Sequence, residues 1–474
     1  MSTAERETIE VSSAALSLIE LVRIADGAQV ALTTEAIERI QASRGVVEEA
    51  LAGPELVYGL NTGLGHLRNQ RLATGDLIAY QDAIISSHAG GFGPPLPAQV
   101  VRAAMAVRVV GISRGGSGAS LGVAQTLVAM LNGHVHPVVP TYGSVGASDL
   151  MHMAAIGEVA IGRGSAEVNG KVLPGSEALR RAGIEPLDLR PKDGLALVSA
   201  NGVSIGWAAL IAEQAATILA AADVVLAVAL EAIGGNMSIV DPAVARAKGI
   251  EGQTAAADHL RRLLDGSRLC SGHPASSVQD PLSFRVGPQV HGAAREFATT
   301  LRGAVETELN ATDDNPLVVV ADKRLISNGN FHPIVLALSL DALRPAMAHV
   351  GQLSDRRMNH LWERAFRAPD SSLPSGMIRM TRHGRGIFHR YPAAGRTALL
   401  RVLAGPATLD IGPLDNGVED HATNATESAR LSAEALDVLG DVPCRRAAHG
   451  EGHPHRRRNP AKARERHEAR AGGA

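Results

Sequence analysis

The chain has 474 residues, 46 of them Lys or Arg and 48 Asp or Glu, so its formal net charge is −2. That length allows a large buried core and excludes a small peptide scaffold, and the near balance of charge offers no global field for nucleic acid or anionic membrane. The two cysteines, Cys270 and Cys444, lie far apart and form no CxxC pair, which speaks against a disulfide framework or a zinc site and makes a reducing cytoplasm the expected compartment.

Aromatic residues make up only 3% of the chain, so the core must be aliphatic, on closely packed helices. The stretch up to Gly27 has acidic residues where a signal peptide needs basic ones, and no export signal is read there. Thr33 or Thr34 can cap a first helix, whose apolar positions Ile37, Ile40, Val47 and Leu51 recur at helical spacing before Gly53-Pro54 stops it. Tyr58 to Gln70 is a glycine-rich loop of the kind that carries chemistry. Helical patterns resume at Gln99–Val110 and Leu121–Leu131, broken by GISRGGSGAS. PVVPTYGSVGASD forms a second irregular stretch, and helix restarts at Leu150.

Gly206–Ile233 has the length and apolarity of a membrane span. Glu213, Gln214, Asp223 and Glu231 interrupt it, a pattern costly in lipid, so it reads as a buried bundle helix. Long helices follow at His291–Leu309 and Ile334–Arg367, joined by a small hairpin or extended loop. After Val442 apolar periodicity gives way to arginine, histidine, glycine and proline, the composition of a disordered tail. The expected organisation is a loop-rich N-terminal domain over 1–195, a long-helix bundle over 196–442 and a basic tail over 443–474.

YGLNTGLG, SSHAGGFG, GSVGASDL and SVQDPLSFRVGPQVHG, supported by GLALVSANG, ELNATDDNP, SNGNFHP and VEDHATN, resemble histidine ammonia-lyase and its phenylalanine and tyrosine relatives. The blocks keep the family's order from Tyr58 to Asn424. The resemblance implies a mainly α fold, a long antiparallel helical bundle of ammonia-lyase (fumarase/aspartase-like) architecture. It also implies a homotetramer whose active sites draw loops from several subunits, and a small amino-acid substrate. Metal, nucleotide, nucleic acid and membrane are not expected.

In that family an Ala-Ser-Gly triad cyclises with loss of two waters to a methylidene-imidazolone, an electrophile that turns a reluctant amine into a leaving group. No ordinary side chain is electrophilic, which is why backbone is recruited. The matching residues are Ala147, Ser148 and Asp149, because GSVGASD stands where the family has GSVGASGD. Two readings stay open: the Asp149 amide nitrogen closes a substituted ring, or Ser148 remains an ordinary serine.

The resemblance assigns Tyr58 as general base on the β-carbon, a task that requires its pKa to be lowered locally. Arg285 matches the arginine that pairs with the substrate carboxylate, which suits a planar guanidinium. Asn201 orients that carboxylate or the ring, although VSANG is two residues longer than the family's spacing. Gln279 and Phe331 line the pocket, and Glu419 contacts the substrate's imidazole or amine. His88, at the selectivity position, favours histidine. The bland alternatives are a packing tyrosine, a surface salt bridge and structural polar groups.

Two departures stand out beside Asp149. Leu282 occupies the place of a tyrosine that assists the chemistry, and Arg390-Tyr391-Pro392 replaces a glutamine-containing stretch before Ala393-Ala394, adding a charge near the expected site. The expected reaction is L-histidine to urocanate and ammonia. Its rivals are an aromatic amino-acid lyase or aminomutase and a ring-less binding or scaffold protein.

Gly202 to Gly206 also fits G-x-S-x-G around Ser204, but an α/β-hydrolase would need alternating strands and helices where this chain continues as long helices. The tail histidines His449, His453 and His455 and its nine basic residues read as solvated tail.

Overall fold

The computed structural model describes residues 7–367, 390–409 and 412–441, so the expected tail lies outside the described residues. A parallel pair, β1 (Thr8–Val11) and β2 (Gln29–Leu32), brackets α1 (Leu18–Ala25). Ser17 and Glu20 start α1 with a reciprocal capping box, and Thr33 caps α2 (Thr34–Ala52) through Ala36 N–H. The loop from Tyr58 leads to α3 (Leu77–His88), then β3 (Phe92–Pro95), α4 (Ala98–Ser113) and α5 (Leu121–Asn132). Short strands β4 (His136–Pro137) and β5 (Pro140–Tyr142) precede α6 (Leu150–Ala160), β6 (Ser165–Val168), β7 (Lys171–Pro174), α7 (Gly175–Ala182) and α8 (Asp193–Val198).

The bundle begins with α9 (Gly202–Ile233) and the shorter α10 (Pro242–Lys248) and α11 (Glu251–Leu263). It continues through α12 (Leu282–Arg285) and α13 (Gly287–Leu309), the hairpin β8 (Leu317–Val319) and β9 (Arg324–Ile326), and α14 (Ile334–Arg367). α15 (Arg390–Leu403) and α16 (Ala425–Asp441) complete the described part. The mainly helical expectation holds, and the expected hairpin lies where the sequence placed it.

α4 and α9 cross closely because glycine lets them. A Cβ on Gly206 would meet Ala103 backbone at 2.9 Å, closer than real Cβ contacts come. The main apolar core joins Leu21, Val101, Val109, Ile211 and Leu219 to Leu340, Leu343 and Leu436, so it takes residues from both sides of position 195. A second cluster, Leu226, Leu230, Leu260 and Phe284, occupies the far end of α9.

α9 is apolar and long enough for a membrane, yet its Asp223 is fully buried and ion-paired. His259 Nδ1 lies 2.8 Å from it, His291 Nδ1 2.7 Å and Arg295 2.6 Å. That neutralised carboxylate sits between packed helices, as the reading of a buried bundle helix required.

A second buried ion cluster ties α4 to the segment before β8. Arg108 grips Asp314 with two hydrogen bonds of 3.0 and 2.7 Å, Ser117 donates to the same carboxylate at 2.9 Å, and Asp313 lies 3.5 Å from the guanidinium. Burial pushes the Asp314 carboxyl up, but Arg108, Lys192 and Ser117 more than offset it and hold it below its usual range. Replacing Arg108 with methionine is expected to lower stability at neutral pH by about 3–5 kcal/mol, because two buried carboxylates lose their cation. Asp314's contribution is present above its unfolded pKa and is lost as pH falls through its depressed folded value. The deficit should therefore shrink in acid below about pH 4. Denaturant midpoints at two pH values check this, and an unchanged midpoint at neutral pH would refute it.

Candidate active site

Ser148 sits in a tight turn of left-handed backbone, with φ of +59°. Gly146 before it has φ of +81°, and a Cβ there would strike Thr423 Oγ1 at 2.2 Å, so glycine is required on both conformational and steric grounds. Thr423 Oγ1 donates to Gly146 O at 2.8 Å and Asn424 N–H to Val145 O at 2.8 Å, clamping the turn to the stretch before α16. Ser148 N–H donates to Phe331 O at 3.0 Å, and its hydroxyl lies 3.3 Å from that of Ser199.

Asp149 has φ of −94° and ψ of 50°, so its Cβ meets no left-handed strain. Its carboxylate accepts from Ser204 N–H at 2.7 Å and Ser204 Oγ at 3.0 Å, and lies 3.2 Å from the Ser144 hydroxyl. It thereby occupies the N-terminus of α9, where free N–H groups and the helix dipole favour an anion. Burial pushes this carboxyl up to about 6, against those hydrogen bonds. The Asp149 amide donates to Ala200 O at 2.8 Å.

The residues at this turn fit the ring that the resemblance implies. Ser148 is held in a clamped, left-handed turn, and the Asp149 carboxylate is bonded to the start of α9. Ser204 is itself buried in the first turn of α9 and bonded to Asp149, so the hydrolase reading of this serine has no exposed nucleophile.

Asn201 caps α9 and is fully buried, and neither its Oδ1 nor its Nδ2 meets a hydrogen-bond partner among the described residues. Tyr58 lies partly buried and its phenol oxygen accepts from Gly65 N–H at 3.2 Å. Burial pushes the Tyr58 phenol up, the Gly65 bond only partly opposes this, and Glu419, Tyr80 and Asp415 add to the rise. The expected lowering of its pKa is thus not found within one chain, where burial and the nearby Glu419 and Asp415 raise it.

Glu419 lies close enough to interact electrostatically with Tyr58 and with His88. Burial raises its carboxyl, Asp415 adds to this, and His88 pulls it down. His88 ends α3, its Nδ1 2.7 Å from Ile84 O. His332 and His421, which sequence reasoning left without a role, lie 2.7 Å apart between ring nitrogens and join the Phe331 and Glu419 loops. Tyr58, His88, Asn201, Phe331 and Glu419 are thus linked, directly or through neighbouring loops, to the Ser148 turn.

Gln279, Leu282 and Arg285 are not brought there. Phe284 packs with Leu226 and Leu230, and Gly287 faces Leu226, whereas Asp149 touches Ser204 on the same helix. At 1.5 Å per residue those two points on α9 are about 33 Å apart. At this distant end the Gln279 amide, turned with its oxygen toward Arg285, accepts from both terminal nitrogens of the guanidinium at 2.7 and 2.8 Å. Leu282 is 60% exposed beside it. Arg390, expected to add charge near the site, pairs with Asp355 at 2.6 Å, two residues from Arg357, which donates to Ser283 O at 3.0 Å in the turn that carries Arg285.

The profile of the family described as aromatic amino acid lyase matches residues 16–449. A histidine ammonia-lyase from Symbiobacterium thermophilum is 38% identical over 433 residues, covering 91% of this chain and 84% of that protein. Among solved structures, ergothionase from Treponema denticola superposes with a TM-score of 0.84 at 27% identity, over 91% of this chain and 87% of that one. Histidine ammonia-lyase from Trypanosoma cruzi gives 0.80 at 29% identity, over 92% and 82%.

Proposed function

The chain belongs to the aromatic amino acid lyase family, and from that premise we propose that it eliminates ammonia from L-histidine to leave urocanate. What favours histidine is the placement of Glu419 on the stretch that Thr423 clamps to the Ser148 turn, within electrostatic reach of His88, where a carboxylate can accept from an imidazole or an amine.

Ala147, Ser148 and Asp149 would form the methylidene-imidazolone, which would supply the electrophile that makes the amine a good leaving group. Tyr58 takes the β-proton, and the unengaged amide of Asn201 orients the substrate. Phe331 closes the pocket beside Ser148. Arg285, its fork aligned by Gln279, holds the carboxylate.

The separation along α9 supports a reading in which Arg285 and Gln279 reach a given Ser148 from another copy of the chain. A homotetramer supplies that copy, and its guanidinium would bring a positive charge that lowers the pKa of the Tyr58 phenol, which burial raises within one chain. A cytoplasmic setting agrees with a chain that has only two cysteines, far apart in sequence.

Incubating the purified protein separately with histidine, phenylalanine and tyrosine, and following ultraviolet absorbance of the conjugated acid, tests the assignment. Histidine is expected to be turned over with the highest kcat/KM. Turnover of tyrosine or phenylalanine alone would overturn the reading of His88 and Glu419.

A further inference from the structure

The motif ELNATDDNP has so far supplied only family resemblance and a buried ion pair, yet its two aspartates do different things. Asp314 is consumed by Arg108, whose two terminal nitrogens it accepts. Asp313 turns one carboxylate oxygen to Asn201, whose backbone N–H donates to it at 2.7 Å. Arg108 stands 3.5 Å behind Asp313 and fixes its carboxylate from the other side.

Asn201 needs such a hold. Its side chain is fully buried and makes no hydrogen bond among the described residues, so nothing at the amide itself sets its direction. A buried amide with both atoms unengaged costs free energy unless something arrives to engage it. Its aim then depends on where the backbone at the start of α9 is pinned. Asp149 holds the neighbouring Ala200 and Ser204, and the pin on Asn201 itself is Asp313, beside an ion cluster anchored in α4.

We propose that Asp313 is a positioning residue: it grips the Asn201 backbone and thereby points the Asn201 amide at the reacting molecule. This rests on the role given to Asn201 above. The alternative is that Asp313 only balances Arg108, in which case its loss would weaken the fold without acting through Asn201.

A double-mutant cycle separates the two. Asp313→Ala is expected to lower kcat about 10- to 100-fold, the scale of a misplaced contact, while Asp313→Asn, which keeps an acceptor oxygen, retains most of the wild-type rate. In an Asn201→Ala background, Asp313→Ala should cause little further loss. The same full loss in both backgrounds, or Asp313→Asn as slow as Asp313→Ala, would overturn the proposal.

Amide hydrogen exchange across Ser199–Ser204 provides a readout that needs no turnover. It should quicken in Asp313→Ala and stay near wild type in Asp313→Asn; unchanged exchange in Asp313→Ala refutes the grip. Should Asp313→Ala not assemble, Asp313→Asn decides: a rate as low as that of Asn201→Ala at wild-type stability overturns the idea, and a retained rate supports it. A wild-type protein that converts no amino acid would refute the proposed activity, and the exchange measurement would still test Asp313 alone.

Discussion

Ser148→Ala should leave the fold intact and the turnover of histidine lower by roughly a thousandfold or more, the scale on which removal of a covalent catalytic group is felt. The side chain is small and buried, so its hydroxyl can be deleted with little disturbance beyond the 3.3 Å contact with Ser199. What is lost is the oxygen whose departure makes the electrophile. Intact mass gives the matching readout: the wild-type protein should weigh less than its encoded mass by two waters, and the variant should not have lost them. A wild-type chain at its full encoded mass would leave ammonia without an activated route out, and the ring-less scaffold reading, which Leu282 and Asp149 also favour, would take its place.

The second expectation follows from the distance along α9. Tyr58→Phe and Arg285→Ala, each nearly inactive alone, should complement one another when co-expressed. In randomly mixed oligomers about one quarter of the sites combine an intact Tyr58 from one chain with an intact Arg285 from another, so activity should recover to about that fraction of wild type. The recovery requires that the two residues serve one site from different copies, because within one chain the Ser148 turn and the Arg285 turn meet α9 at points about 33 Å apart along the helix. Mixed oligomers shown to form, yet no more active than their parents, would refute shared sites. The exposed Leu282 beside Arg285 would then be an ordinary surface leucine rather than a residue facing a neighbour.

Some of this was legible before any fold was known. α14 spans Ile334–Arg367 as its periodicity requires, α2 starts at the threonine cap and stops at Gly53, and the hairpin falls between β8 and β9. Such signals are local: an apolar repeat, a capping side chain or a glycine acts on neighbours within a few residues. The family motifs were also readable, because each is a short run whose residue types are tied to one chemistry. The hydrolase-like G-x-S-x-G was readable too and misleading, since its meaning depends on the surrounding fold, which here buries Ser204 inside a helix.

Periodicity, caps and motifs in the chain itself therefore settled the helical class, the approximate bounds of the longer helices and the residues worth watching. Only the folded molecule decided that Asp149 lands on the start of α9, that Asp313 holds Asn201 across a gap of 112 positions, that Glu419 and Asp415 act on the half-buried Tyr58, and that Arg285 lies far from Ser148. These are meetings between segments remote in the chain, governed by helix packing and the burial of charge, and no local pattern encodes which remote partner a carboxylate or guanidinium will find.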